Sequence, residues 1–183
     1  MDAQKDILSP FEVSLSGTVA SAGMMVESPK RDRTVVYSST GTSSSNSTLG
    51  IVDNASESAT SSITLPGPTE SMFVASDNNT LFAAIPSAPI PAQSPGAVVQ
   101  VSLPNSAVTA TIPVAGARFI IPSPSGNQIL VVSDTADTTV PDSTAVTLLA
   151  PALISTGNAL TSVSSAAGTF DKPVWAVFSA DGS

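Results

Sequence analysis

One feature constrains this chain more than any other: it repeats itself. Three apolar pairs, Met25-Val26, Met72-Phe73 and Ile120-Ile121, are each followed by a polar turn and then a second apolar run. The turns are Ser28-Pro29-Lys30-Arg31-Asp32, Ala75-Ser76-Asp77-Asn78-Asn79 and Ser123-Pro124-Ser125-Gly126-Asn127. The second runs are Val35-Val36-Tyr37, Phe82-Ala83-Ala84 and Leu130-Val131-Val132. The copies superpose without gaps at offsets of 47 and 48 residues, and a fourth begins at Val174-Trp175-Ala176-Val177-Phe178, offset by 56. Internal periods of this size mark an architecture built from supersecondary units.

Each full copy continues alike. A polar loop leads to a third run: Leu49-Gly50-Ile51-Val52, Val98-Val99-Gln100-Val101 and Val146-Thr147-Leu148-Leu149. A fourth follows: Ser62-Ile63-Thr64-Leu65, Val108-Thr109-Ala110-Thr111-Ile112 and, less sharply, Ala159-Leu160-Thr161-Ser162-Val163. Alternation in Val99, Val101 and Leu103, and in Val108, Ala110 and Ile112, has the period of a pleated strand. β-Branched residues fill these runs, with Pro, Gly, Asn and Asp between them.

A unit of four short antiparallel strands with two apolar faces cannot bury either face alone. Stacking such units around an axis covers both, which is the logic of a β-propeller. A β-sandwich of eight or more strands would not need every unit to share one turn, and a parallel β-helix usually has a shorter coil. The expected fold is therefore all-β: a propeller arc of about three four-stranded antiparallel blades plus one extra strand. The expected boundaries are 21–66, 67–115 and 116–170 for the blades and 171–183 for the first strand of a fourth. Residues 1–20 form an N-terminal segment that can supply the outer strand of a preceding blade.

At this point the residues resemble the YVTN-type β-propeller repeats. The clearest copy reads Gly96-Ala97-Val98-Val99-Gln100-Val101, then Ala107-Val108-Thr109-Ala110-Thr111-Ile112-Pro113-Val114-Ala115-Gly116. Lactonase-like propellers share much of this grammar. The YVTN tetrapeptide is not intact; Val36-Tyr37-Ser38-Ser39 and Val131-Val132-Ser133-Asp134 come nearest. The Ser-Pro-Asp-Gly-like turn departs at Lys30-Arg31 and at Asp77-Asn78-Asn79. The resemblance implies seven blades, so a chain with three is expected to be a portion of a longer propeller. Its partners would then include the remaining blades, or other copies through open blade faces.

Composition narrows the chemistry. The 183 residues carry 14 acidic and 6 basic side chains, with no His and no Cys. Six basic residues make no nucleic-acid footprint. Zinc sites of Cys or His, Ser-His-Asp triads, Cys nucleophiles and disulfides are excluded. No apolar run reaches the ~20 residues of a membrane helix. The 31 Ser and 19 Thr favour disorder, but the abundance of Val, Ile, Leu and Ala opposes it. No signal peptide is visible at the N-terminus. The Ser/Thr richness and absence of Cys suit an exported protein, periplasmic or extracellular.

Few residues point to chemistry. Without His, a general base would have to be Asp or Glu. In the repeat, Gly23, Glu70, Arg118 and Val174 are equivalent, at the start of each first strand. This places Glu70 and Arg118 on adjacent blades at the mouth of a central channel. They are either a polar ligand-binding contact or a plain surface ion pair. Asp134, Asp137 and Asp142 share one loop and offer oxygen ligands for a structural calcium, without EF-hand spacing; no other cofactor is expected. The loops at 38–47, 86–97 and 133–143 are expected on one face. Asn46, Asn54 and Asn78 head Asn-x-Ser/Thr sequons, at a number that chance explains. Tyr37 and Trp175 read as blade-packing residues. The expected role is a non-enzymatic scaffold that binds a protein or surface polymer through one face or the channel. The alternatives are a lactonase-like or related hydrolase with most active residues in missing blades, and a purely structural surface repeat.

Overall fold

The computed structural model describes residues 22–39, 47–126, 128–134, 144–149 and 180, and every regular element among them is a strand. The first sheet holds β1 (Ala22–Glu27), β2 (Arg33–Ser39), β3 (Ser47–Asp53) and β4 (Ser58–Leu65). The second holds β5 (Ser71–Val74), β6 (Thr80–Ile85), β7 (Ala97–Ser102) and β8 (Ala107–Pro113). The third holds β9 (Ala117–Pro122), β10 (Ile129–Asp134) and β11 (Thr144–Leu149). Within each sheet the strands lie in chain order and pair antiparallel with their neighbours. This is the expected all-β propeller-like arc. The runs at 159–163 and 174–178 lie outside the described residues.

The repeat is visible in the backbone. The turn after β1 closes through Ser28 N to Arg33 O (2.9 Å), that after β5 through Ala75 N to Thr80 O (2.8 Å), and that after β9 through Ser123 N to Gln128 O (2.8 Å). The fourth turn residue is left-handed in all three: Arg31 at φ 57°, Asn78 at 65° and Gly126 at 71°. Glycine adopts this conformation freely, Asn tolerates it, and Arg pays steric strain. The two turns that lack a glycine thus keep the geometry of the one that has it. A bulge also recurs. Thr60 in β4 and Thr109 in β8 fall out of register. Each donates Oγ1 across to a β-strand carbonyl, Ile51 O or Gln100 O, at 3.2 Å.

Alternation sorts the side chains of the second sheet between its two neighbours. Leu81, Ala83, Ile85, Val99 and Val101 face the first sheet and form one core with Val35, Tyr37, Leu49 and Ile51. Phe82, Ala84 and Val98 face the third sheet and join Ile120, Ile129 and Val131. The second blade is therefore apolar on both faces and buries each against a neighbour. Tyr37 is a packing residue, as expected: it is buried, with its hydroxyl 3.4 Å from Ser47 Oγ.

Candidate functional site

β5 packs on β1 on one side and on β9 on the other, so the first strands of the three sheets gather together. Glu70 immediately precedes β5, and Arg118 is the second residue of β9. Arg118 Nε donates to Glu70 Oε2 at 2.8 Å across the two sheets. The side chains stay 41% and 42% exposed, Arg118 and Glu70 respectively. Arg118 Cζ also lies 5.8 Å from the centroid of the Phe119 ring, which is itself 40% exposed. The repeat register therefore brings the two predicted residues together.

Local structure holds both carriers in place. Buried Thr69 donates Oγ1 to Ala84 O (2.7 Å) and lies 3.1 Å from Ser71 O, fixing the entry to β5. Ser71 Oγ accepts from Ile120 N at 3.2 Å, tying β5 to β9 beside the ion pair. The entry to β9 rests on Gly96. Gly96 O accepts from Val114 N (3.0 Å), while Gly116 N donates to the neighbouring Pro95 O (3.0 Å). Gly96 sits at φ 130°, and a Cβ there would come within 2.3 Å of Gly116 N. Only glycine fits this backbone crossing. Sequence reasoning missed Thr69, Ser71 and Phe119, because their roles depend on side-chain contacts: Thr69 within its own sheet, Ser71 across to Ile120 of the next, and Phe119 beside Arg118. The signal for Gly96 was its place just before the third strand of the clearest repeat copy.

The pair's chemistry is that of a surface contact. A half-exposed ion pair contributes about 0–1 kcal/mol because water screens it and two long side chains must be ordered.

Acidic groups cluster differently at the hairpin-turn end of the arc. Asn78 is buried and bridges the first two blades. Its Nδ2 donates to both Asp32 oxygens at 3.0 Å, and its Oδ1 accepts from Lys30 N at 3.0 Å. This bonding from Asn78, with a further bond from Ser28 Oγ, holds the Asp32 carboxyl below its ordinary range. Asp53 is lowered by donation from Ser56 N and Oγ. For Asp77, burial pushes upward, but donation from Thr80 and Asn79 outweighs it and the net shift is down. The amides of two sequons have structural duties: Asn78 Nδ2 holds Asp32, and Asn54 Nδ2 donates to Arg31 O at 3.0 Å. Asn46, Asp137 and Asp142 lie outside the described residues, as does the side chain of Asp134, whose backbone ends β10. Among the described residues no helix is long and apolar enough to cross a membrane.

No protein-family model matches the chain, and no curated protein matches it. Among solved structures it is similar to hydrazine synthase of Kuenenia stuttgartiensis, at 15% identity and a TM-score of 0.55, over 69% of this chain and 38% of that one. It is also similar to a structure described as the eukaryotic initiation factor, at 12% identity and a TM-score of 0.55, over 81% of this chain and 32% of that one. The chain thus spans well under half the length of either. Likeness at these identities is a likeness of fold, and it agrees with the propeller-like order of the sheets.

Proposed function

We propose that this chain is a YVTN-type propeller arc serving as a non-enzymatic binding scaffold of an exported or surface protein. It contacts a protein or surface polymer through the mouth lined by Glu70 and Arg118. One observation carries this reading: opposite charges on two neighbouring blades, 2.8 Å apart and each about two-fifths exposed, beside an exposed aromatic ring. Arg and aromatic side chains are enriched where proteins bind partners. The strands that carry them fix the backbone, which lowers the ordering cost of binding. The hydrolase alternative draws no support from Asp32, Asp53 and Asp77. Hydrogen bonds within and between turns hold these carboxyls below their ordinary range, away from the near-neutral values a general base uses.

The test is a charge exchange, Glu70→Arg with Arg118→Glu. The exchanged chain keeps an ion pair and reverses its direction. Wild-type and exchanged chains are laid on one peptide array. Peptides pairing acidic and basic residues should be retained by the wild type and lost, or replaced by others, in the exchanged chain. Identical patterns from both chains would overturn the reading.

A further inference from the structure

The second and third sheets do not close on each other completely. Between them, at the hairpin-turn end, lies a cleft of about 460 Å³, within the ~300–1,000 Å³ of small-molecule sites. Its apolar wall includes Phe73 and Phe82, whose rings pack at 5.4 Å between centroids, together with Pro124. Its polar groups include Gln100, Gln128 and Asp77.

Gln100 is the informative residue. It pairs with Phe82 on β6 as Ile51 pairs with Val35 on β2, so the two are equivalent in the repeat. Ile51 is buried in the core between the first two sheets. Gln100 instead presents an amide to the cleft, half-buried, and no described residue hydrogen-bonds that side chain. A seam position filled by an aliphatic side chain in one blade thus carries an unused donor and acceptor in the next. The amide is open to water in the cleft, so a ligand that displaces this water can use both its donor and its acceptor.

The lining selects the ligand class. Among the lining residues Asp77 alone is charged, so no lining cation invites a phosphate or carboxylate. The Asp77 carboxylate is anchored by Asn79 N, Thr80 N and Thr80 Oγ1. Two neutral amides can each donate and accept. Beside them stands an apolar wall. Neighbouring hydroxyl groups on a ring with an apolar face match this set.

We propose that the cleft between the second and third blades binds a saccharide unit: a neutral ring that turns its hydroxyls to Gln100, Gln128 and Asp77 and its C–H face to Phe73 and Pro124. This rests on the cleft alone and is independent of the Glu70–Arg118 mouth.

The side-chain amide signals of Gln100 and Gln128 report directly by NMR. The full chain is titrated with cellobiose, maltose, chitobiose and lactose, and with cyclohexanol and a proline-rich peptide as comparisons. At least one sugar should move both amide signals, with saturation, more than cyclohexanol does. Gln100→Ile, which installs the residue of the equivalent position, should weaken that binding by roughly tenfold, the weight of one hydrogen bond between partly desolvated groups. It should also raise the melting temperature, which separates lost binding from lost folding. Gln128→Ala provides a second variant away from the core and should weaken binding in the same direction. The proposal is overturned if no sugar moves either signal. It also fails if cyclohexanol or the peptide acts as strongly as the sugars, or if both variants bind like the wild type.

Discussion

The two seams between blades use the same backbone and reach different ends. In the seam between the first and second sheets, Val35, Tyr37, Leu49 and Ile51 meet Leu81, Ala83, Val99 and Val101 in a continuous buried core. Asn78 then fastens the seam at the turn end by gripping Asp32. In the seam between the second and third sheets, Ala84 and Gln100 occupy the places of Tyr37 and Ile51. Gly126 occupies the place of Asn78 and has no side chain to reach across. The turns themselves are alike, with the same closing bonds and the same left-handed fourth residue. Whether a seam seals or leaves a cleft is thus decided by a few side chains on an unchanged frame.

The largest test converts the sealed seam into the open one. Ile51→Gln should destabilise the chain by about 3–5 kcal/mol, from lost apolar burial plus a buried amide without a partner. Urea unfolding measures it, and a cost below about 1 kcal/mol would mean that the first seam can absorb an amide and is not sealed by packing. Next comes the fastening. Asn78→Ala removes three hydrogen bonds and replaces a residue that tolerates φ 65° with one that does so less readily. The expected loss is about 2–3 kcal/mol. In the second seam, Gly126→Ala introduces a β-carbon at φ 71°, where it would lie 3.2 Å from Ser76 Oγ. With no interblade bond to lose, it should cost only about 1 kcal/mol. Equal losses for Asn78→Ala and Gly126→Ala would show that backbone strain, and not the fastening, separates the seams.

Much of this was legible before the structure, for a physical reason. Strand pairing and turn closure are local, so a gap-free repeat of apolar pair, turn and apolar run carries them directly. Register alone also placed Glu70 beside Arg118, because equivalent positions on stacked units become neighbours. The turns at Lys30-Arg31 and Asp77-Asn78-Asn79 looked like departures from the pattern, yet Arg31 and Asn78 adopt the glycine's conformation. There the tertiary frame overrides residue preference. The bond from Asn78 to Asp32 was not legible, since it spans 46 residues and depends on side-chain reach. The cleft was half legible: Gln100 interrupts an aliphatic run, but only the adjoining sheet reveals what its amide faces. The calcium expectation at Asp134, Asp137 and Asp142 concerns side chains outside the described residues.

The smallest effect is set by pH and again distinguishes the seams. Asp32 is depressed below its ordinary value of 3.8, chiefly by Asn78 and then by Ser28. A depressed carboxyl contributes stability that is fully present above the unfolded value and is lost as pH falls through the folded one. The wild-type melting temperature should therefore fall as pH drops below 3.8. Part of that fall should vanish in Asn78→Ala, because the variant has already lost the main cause of the shift. Asp77 sits at the cleft, but its bonding comes from Thr80 and Asn79 of its own turn. Protonating it loosens that turn without unfastening a seam, so Gly126→Ala should keep the full wild-type pH dependence. Thermal unfolding of the three chains across the acid range decides the matter. If Asn78→Ala loses as much stability with acid as the wild type does, the bond to Asp32 is not what makes the first seam acid-sensitive.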